Sequence, residues 1–335
     1  MSEGVHLSLV SIVTPVFNGA KYLRDCIQSV LDQTFTEWEY VLVDNCSSDD
    51  SRAIAESYAS DKRFRIYANR EVLPVTDSFN RAASLVSPGT KYLKYLCADD
   101  LLFPQCLELM IKVVESNPQV VVVGSYKICG RKPVFEGPPF PQETVPGREA
   151  CKWFFEGRVG ILGSESNHLI RLPPQGAGNS LFDAAFRNHS DTDLFIRLLK
   201  HSGDLGFVHQ VLSFTRVHED SVSAKHARVL GTSDLEGLAM LIKHGPDFLT
   251  QRELNRLLRK HWRAYQHFLF RSLFNGKGKK IWRYHRSSWL TLGIRMRPGH
   301  VAKTIAVGAA MCAIHPIDSL NRLTRLIRAR LYRNV

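Results

Sequence analysis

The stretch SIVTPVFNGAKYLRDCIQSVLDQTFTEWEYVLVDNCSSDDS, residues Ser11–Ser51, decides the fold. Its first residues continue the apolar, β-branched run LVSIV (Leu9–Val13), which stops at Thr14-Pro15 and reads as a buried strand. From about Ala20 to Gln33, residues Tyr22, Leu23, Cys26, Ile27, Val30 and Leu31 share one face of a helix. WEYVLVD (Trp38–Asp44) is a second apolar strand, and a second helix is expected over Ser48–Ser60. The rhythm continues outward. RFRIYA is a third strand, Asp77–Val86 a helix closed by Pro88-Gly89, and KYLKYLC a fourth strand meeting Asp99-Asp100. Phe103–Ser116 is helical, and QVVVVGSY is a fifth strand. Strands alternating with helices predict an α/β protein with a parallel sheet. Lys127–Gly147, rich in Pro and Gly, reads as a loop, and helix signals dominate from about residue 226.

Composition narrows the class. The 335 residues carry 44% apolar and 23% charged side chains, which excludes disorder and disulfide miniproteins as descriptions of the whole. The seven cysteines are odd in number and scattered, with no C-x-x-C pair. Neither a disulfide framework nor a zinc cluster is expected, and a reducing, cytoplasmic setting is. MSEGVHLSLVSIV has no basic region before its apolar run and does not read as a signal peptide. The net charge of +12 is unevenly spread. Residues 252–335 hold 19 Lys+Arg and 2 Asp+Glu, a charge of +17, so the first 251 residues carry −5. A mildly acidic body and a basic C-terminal quarter have different tasks.

In an open parallel sheet, ligands bind beyond the carboxyl ends of the strands. Three polar clusters fall at such ends: Thr14-Pro15-Val16-Phe17-Asn18, Asp44-Asn45-Cys46-Ser47-Ser48-Asp49, and Asp99-Asp100. No glycine-rich phosphate cradle follows strand one, and no G-x-x-x-x-G-K-[ST] occurs. Two adjacent carboxylates at a strand end suit a hard divalent cation, Mg²⁺ or Mn²⁺, that takes up phosphates. Each cluster also has a structural reading, as turn or helix cap. Three of them on one edge favour a site.

These residues resemble the opening of the family 2 glycosyltransferases, which have the GT-A fold. The resemblance continues through LPVTDSFNRAASL, KYLKYLCADDLLFP, HSDTDLFIRLLKHSGDLGFV and LSFTRVHEDSVS, covering roughly residues 8 to 224 in order. It implies a GT-A domain over 1–225, with a nucleotide-binding half (1–125) and an acceptor half (126–225), followed by a basic helical region over 226–335. It implies a nucleotide-sugar donor, UDP-linked by preference. Thr14, Pro15, Phe17 and Asn18 form one wall of the nucleotide site and Asp44 and Asn45 the other, with Arg70 and Asp77 closing over it. Asp99 and Asp100 match the metal motif, Cys97 standing where many members have another Asp, and Asp99 also meets the ribose. His218 approaches the diphosphate or metal. Asp191 matches the catalytic base of an inverting transfer, preceded by Ser190 where the family has Glu. Ser190 and Asp193 also have the spacing of a capping box, and Asp193 with Arg197 that of a helical ion pair. Cys97 and Ser190 leave open a sugar-nucleotide-binding protein without catalysis.

In the basic quarter, VAKTIAVGAAMCAI (301–314) is too short to span a bilayer. In DSLNRLTRLIRARLYRNV, Leu320, Leu323, Ile327 and Leu331 form a stripe with five arginines largely off it. Such a helix suits an anionic membrane surface, where a lipid-linked or glycan acceptor would be met. A helix packed on the body is the structural alternative. Nucleic-acid binding has only the charge behind it, and no recognition motif.

Overall fold

The computed structural model describes residues 9–174, 181–201, 203–218, 230–273 and 278–295, with residues 221, 299 and 306. The chain divides into two compact units, Met1–His218 and Glu219–Val335.

The first unit is built on β1 (Val10–Val16), α1 (Ala20–Leu31), β2 (Trp38–Asp44), α2 (Ser51–Glu56), β3 (Phe64–Ala68), α3 (Val75–Ala83), β4 (Tyr92–Tyr95), the two-residue β5 (Leu101–Leu102), α4 (Cys106–Ser116) and β6 (Val120–Cys129). Then come β7 (Lys132–Val134), β8 (Thr144–Pro146), α5 (Gly147–Phe155), β9 (Leu169–Arg171), α6 (Ser190–Lys200) and β10 (Asp204–Thr215). All belong to one ten-stranded sheet of order β3-β2-β1-β4-β9-β6-β10-β5, with β7 on β6 and β8 on β10. Strands β3, β2, β1 and β4 are parallel, as the alternation predicts. β2 is buried at every residue, because both faces of a parallel sheet are covered. Helix α1 contributes Leu23, Cys26, Ile27 and Val30 to that cover. Each large apolar side chain there stabilises the fold by roughly 1.5–3 kcal/mol.

The expected α/β architecture, a mostly parallel GT-A-like sheet with flanking helices, is present, and two local expectations, the loop 127–147 and the cap of α6, need correction. The sheet is mixed, because β9 runs antiparallel between β4 and β6. Three residues following the polar SESNH are too few to show a strand period, so pairing on both sides creates the strand. The expected loop 127–147 carries the end of β6 and the short β7 and β8. Pro133 and Pro146 lie in them, and proline is tolerated at sheet edges where no ladder bond is lost. The expected capping box on α6 is absent. Ser190 is the first helical residue, His189 precedes it as N-cap, and no side chain caps the helix. Asp193 instead accepts Arg197 Nε at 2.7 Å, as the i,i+4 spacing predicts.

The second unit contains α7 (Thr232–Phe248), α8 (Gln251–Leu273) and α9 (Gly278–Thr291). Helices α8 and α9 are joined by Tyr265, whose hydroxyl accepts Trp289 Nε1–H at 2.6 Å and bonds His285 Nδ1 at 2.8 Å. Among the described residues no helix is long and apolar enough to cross a membrane. The stretches 301–314 and 318–335 lie outside the described residues, apart from residue 306.

Candidate active site

The carboxyl ends of β1 and β2 are laced together by short polar side chains. Asn18 has a left-handed backbone, φ 52°, which asparagine tolerates better than most residues. Its side-chain Oδ1 accepts Ser48 N–H at 2.8 Å, and its backbone N–H goes to Ser47 Oγ at 3.0 Å. Gly19 follows because a Cβ there would stand 2.9 Å from Val16 Cγ2. Phe17 is left 52% exposed at the loop tip, free to pack on a flat ligand.

Other expected nucleotide residues are placed differently. Thr14 is fully buried, and its hydroxyl donates to Leu96 O at 2.7 Å and meets Tyr40 OH at 3.0 Å. It ties β1 to the segment after β4 and presents no side chain to a ligand. Asn45 is also buried. Its amide donates to Leu73 O at 2.9 Å, while its carbonyl accepts Leu73 N–H at 2.9 Å and Asn69 Nδ2–H at 2.8 Å. That amide shapes the 69–73 loop, which carries the exposed Arg70. Asp44 receives Ser47 N–H at 3.2 Å in a local turn. Pro15 is half-buried near the end of β1, and Asp77 is half-buried in the first turn of α3, where a carboxylate complements the helix dipole.

Beyond β4 the acidic pair is assembled tightly. Helix α4 begins only at Cys106, with Gln105 as its N-cap, so Asp99 and Asp100 do not cap it. Asp99 Oδ2 bonds His218 Nε2 at 2.8 Å, bringing together two residues 119 apart in sequence. Asp100 is 3% exposed, and its Oδ1 accepts Arg216 N–H at 3.0 Å. Arg216 Nε donates to Asp99 O at 2.9 Å, and its guanidinium lies 4.6 Å over the Tyr22 ring. Burial, and then the neighbouring Asp99 charge, push the Asp100 carboxyl up to about 7. Ligand atoms of Cys97, Asp99 and Asp100 lie within 4.8 Å of one another. The two carboxylates supply hard oxygen donors and keep lone pairs unspent by His218 and Arg216. A divalent cation between them would relieve the crowding, so the residues fit Mg²⁺ or Mn²⁺. His218 is bonded to Asp99 rather than grouped with the candidate ligands.

Asp191 stands in the first turn of α6. Its Oδ2 accepts Ser164 N–H at 2.8 Å, and its Oδ1 accepts Thr192 N–H at 2.7 Å. Ser164 is held at φ 73°, a left-handed conformation that costs a serine energy and turns its N–H to the carboxylate. The next two residues, which open a 3-10 turn, reach Cys97 just before the acidic pair. Glu165 Oε1 accepts Cys97 S–H at 3.0 Å, and Ser166 Oγ accepts Cys97 N–H at 3.0 Å. Burial, and then the Asp191 charge, raise the Glu165 carboxyl to about 7. Beneath the turn, fully buried Lys94 donates to Ser166 O at 2.8 Å and His168 O at 3.3 Å. Burial lowers its pKa.

Sequence reasoning named Asp99, Asp100, Asp191 and His218 but missed Arg216, Lys94 and the Ser164–Ser166 turn. Arg216 lies two residues from His218 in FTRVHEDS, and a basic residue beside a segment expected to approach a diphosphate was a legible signal. The turn has no such signal, since SES follows no period and matches no motif.

The family model for Glycosyl transferase family 2 matches residues 11–159. The putative teichuronic acid biosynthesis glycosyltransferase TuaG of Bacillus subtilis is 36% identical over 223 residues, covering 64% of this chain and 82% of TuaG. An uncharacterized glycosyltransferase of Rickettsia prowazekii is 27% identical over 220 residues, covering 65% of this chain and 67% of that protein. Among solved structures, Staphylococcus aureus TarS 1–349 in complex with UDP-GlcNAc superposes with a TM-score of 0.57 at 15% identity, over 84% of this chain and 79% of that one. Against a longer TarS chain, the coverage of that chain is 43%. At such identity the TarS likeness speaks for the GT-A fold alone. The extent and identity of the TuaG match, with the family model over the nucleotide half, establish that this chain belongs to the family 2 glycosyltransferases.

Proposed function

We propose that the protein transfers a sugar, with inversion, from a UDP-sugar to a hydroxyl of a glycan or lipid-linked acceptor in cell-surface polysaccharide synthesis. The observation that carries this reading is the single turn that aims Asp191 and touches the Asp99-Asp100 segment. The names of relatives support the setting: TuaG is a putative teichuronic acid enzyme, and TarS was solved with UDP-GlcNAc.

The roles follow from the chemistry available. Phe17 and the loop bearing Arg70 flank the base and ribose, with Asn18 and Asp44 fixing the strand-end loops and Pro15, Asp77 and Asp99 completing the donor side. Asp99 and Asp100 hold Mg²⁺ or Mn²⁺, with His218 orienting Asp99. Bound there, the ion supplies positive charge against the departing nucleoside diphosphate. Arg216 adds a fixed cation at the same place. Asp191 takes the proton of the acceptor hydroxyl as that oxygen attacks the anomeric carbon. Each of its oxygens accepts a backbone N–H, and a second lone pair on Oδ2 is left for the incoming hydroxyl.

Thermal-shift screening of UDP-sugars with and without Mn²⁺, followed by turnover assays, tests the reading. Asp191→Ala is expected to lower transfer by about 10²–10⁴-fold while leaving donor binding intact. Near-normal turnover in that variant refutes the base assignment. Absence of turnover in the wild-type chain with every donor favours a binding protein instead.

We further propose peripheral attachment to the inner face of an anionic membrane. Support comes from the basic quarter and from α9, which carries Lys279, Lys280, Arg283 and Arg286, no acidic residue, and Leu290 at 87% exposure. The chain cut after Asp318 is expected to release from anionic vesicles. Undiminished sedimentation with them would clear the terminal helix of that role.

A further inference from the structure

Glu165 is a half-buried carboxylate in uncongenial company. Besides its own backbone N–H, its carboxylate meets a thiol, a weak donor, at 3.0 Å. The charges that act on it, Asp191 and Asp100, are both negative. A carboxylate kept for structure is ordinarily met by strong donors, because burial without them is costly. Two further strong donors at the turn point elsewhere. Ser164 N–H goes to Asp191, and Lys94 goes to the carbonyls of Ser166 and His168. The turn is therefore held by its backbone, and the Glu165 carboxylate keeps lone pairs that no described residue is shown to fill.

Its position says what could fill them. The Glu165 side chain is fastened to Cys97, next to the acidic pair, and the amide of the residue before it is fastened to Asp191. On the function proposed above, the diphosphate lies at the acidic pair and the attacked anomeric carbon lies before Asp191. The ring of the transferred sugar must occupy the space between, since it is bonded to both. We propose that Glu165 is a specificity-determining residue that accepts hydrogen bonds from hydroxyl groups of the transferred sugar. A polyol offers the strong O–H donors that the protein withholds, and a charged acceptor for them binds more tightly than a neutral one. This inference rests on the transferase reading and adds to it the side chain that reads the sugar.

Glu165→Gln separates this role from a structural one. Glutamine keeps an oxygen to accept the Cys97 S–H and removes the unfavourable charge, so a purely structural role predicts no loss. Calorimetry on the full-length chain with Mn²⁺ would compare UDP with the UDP-sugar that the wild type binds most tightly, and turnover would be measured with that same donor. The expected result has three parts. The melting temperature is unchanged or raised, and UDP affinity stays within about twofold. Sugar-dependent affinity or kcat falls about tenfold to hundredfold, the scale of a hydrogen bond to a charged group. Retention of both the UDP-sugar to UDP affinity ratio and kcat within about twofold overturns the proposal. So does an equal loss of UDP affinity, which would put Glu165 on the diphosphate. Failure of the transferase reading would appear elsewhere, as a wild-type chain that turns over none of the donors.

Discussion

Glu39 and Asp100 belong to one sheet and are equally hidden, each 3% exposed, yet their chemistry diverges. Glu39 lies at the amino end of β2. It accepts the Ser11 hydroxyl, Ser87 N–H at 2.6 Å, Ser87 Oγ–H at 2.5 Å and Arg65 at 3.1 Å. Burial alone would raise its pKa, but the bonds from Ser11, Ser87 and Arg65 outweigh it and hold the carboxyl below the ordinary range. Asp100 lies beyond the carboxyl end of β4, and burial with the Asp99 charge pushes it up to about 7. Burial is the same, so the partners decide. One carboxylate is saturated by donors and fastens the first strands. The other is crowded by its own kind and keeps capacity for a ligand.

The comparison is exposed to experiment, with the largest effect at the saturated end. Glu39→Ala leaves Arg65 and two serines without their acceptor and is expected to cost about 3 kcal/mol. The urea midpoint should drop accordingly, while turnover per folded molecule stays unchanged. A variant of full stability, or one folded but inactive, would break the division between the two ends.

The opposite end should respond to pH with opposite sign. Asp100 has its folded pKa raised from 3.8 to about 7, so its charge opposes folding increasingly as pH rises through that interval. Glu39 has its folded pKa lowered, so its stabilisation is complete above its ordinary 4.5 and is lost as pH falls through the folded value. Without divalent ions, Asp100→Asn should therefore raise the melting temperature at pH 8 and leave it unaltered near pH 4. The gain is at most ~4 kcal/mol, from three units of displacement. With Mn²⁺ at a hundredfold excess over its Kd, the wild type should recover about 2.7 kcal/mol and the variant far less. Equal Mn²⁺ stabilisation of both proteins would remove Asp100 from the metal site.

How much of this could be read before folding differs by element. The parallel strands β1 to β4 were legible, though not their order in the sheet, because short apolar runs separated by helical periods leave few alternatives. The acidic pair was legible as well, since adjacent carboxylates after a buried strand are a local signal. Strand β9 was not, being three residues made into a strand by neighbours on both sides. Thr14 and Asn45 were named from their place in a motif, and only their partners reveal that their side chains serve the scaffold.

The sequence by itself determined the order of strands and helices, the division of charge at residue 252, and the family. Those are properties of neighbours along the chain, written in period and composition. Which groups share a site was decided by the tertiary structure alone. Asp99 meets His218 across 119 residues, and one turn at Ser164–Ser166 links Cys97 to Asp191. The mixed sheet brings those segments together, and the energies of crowded or satisfied carboxylates exist only once it has done so.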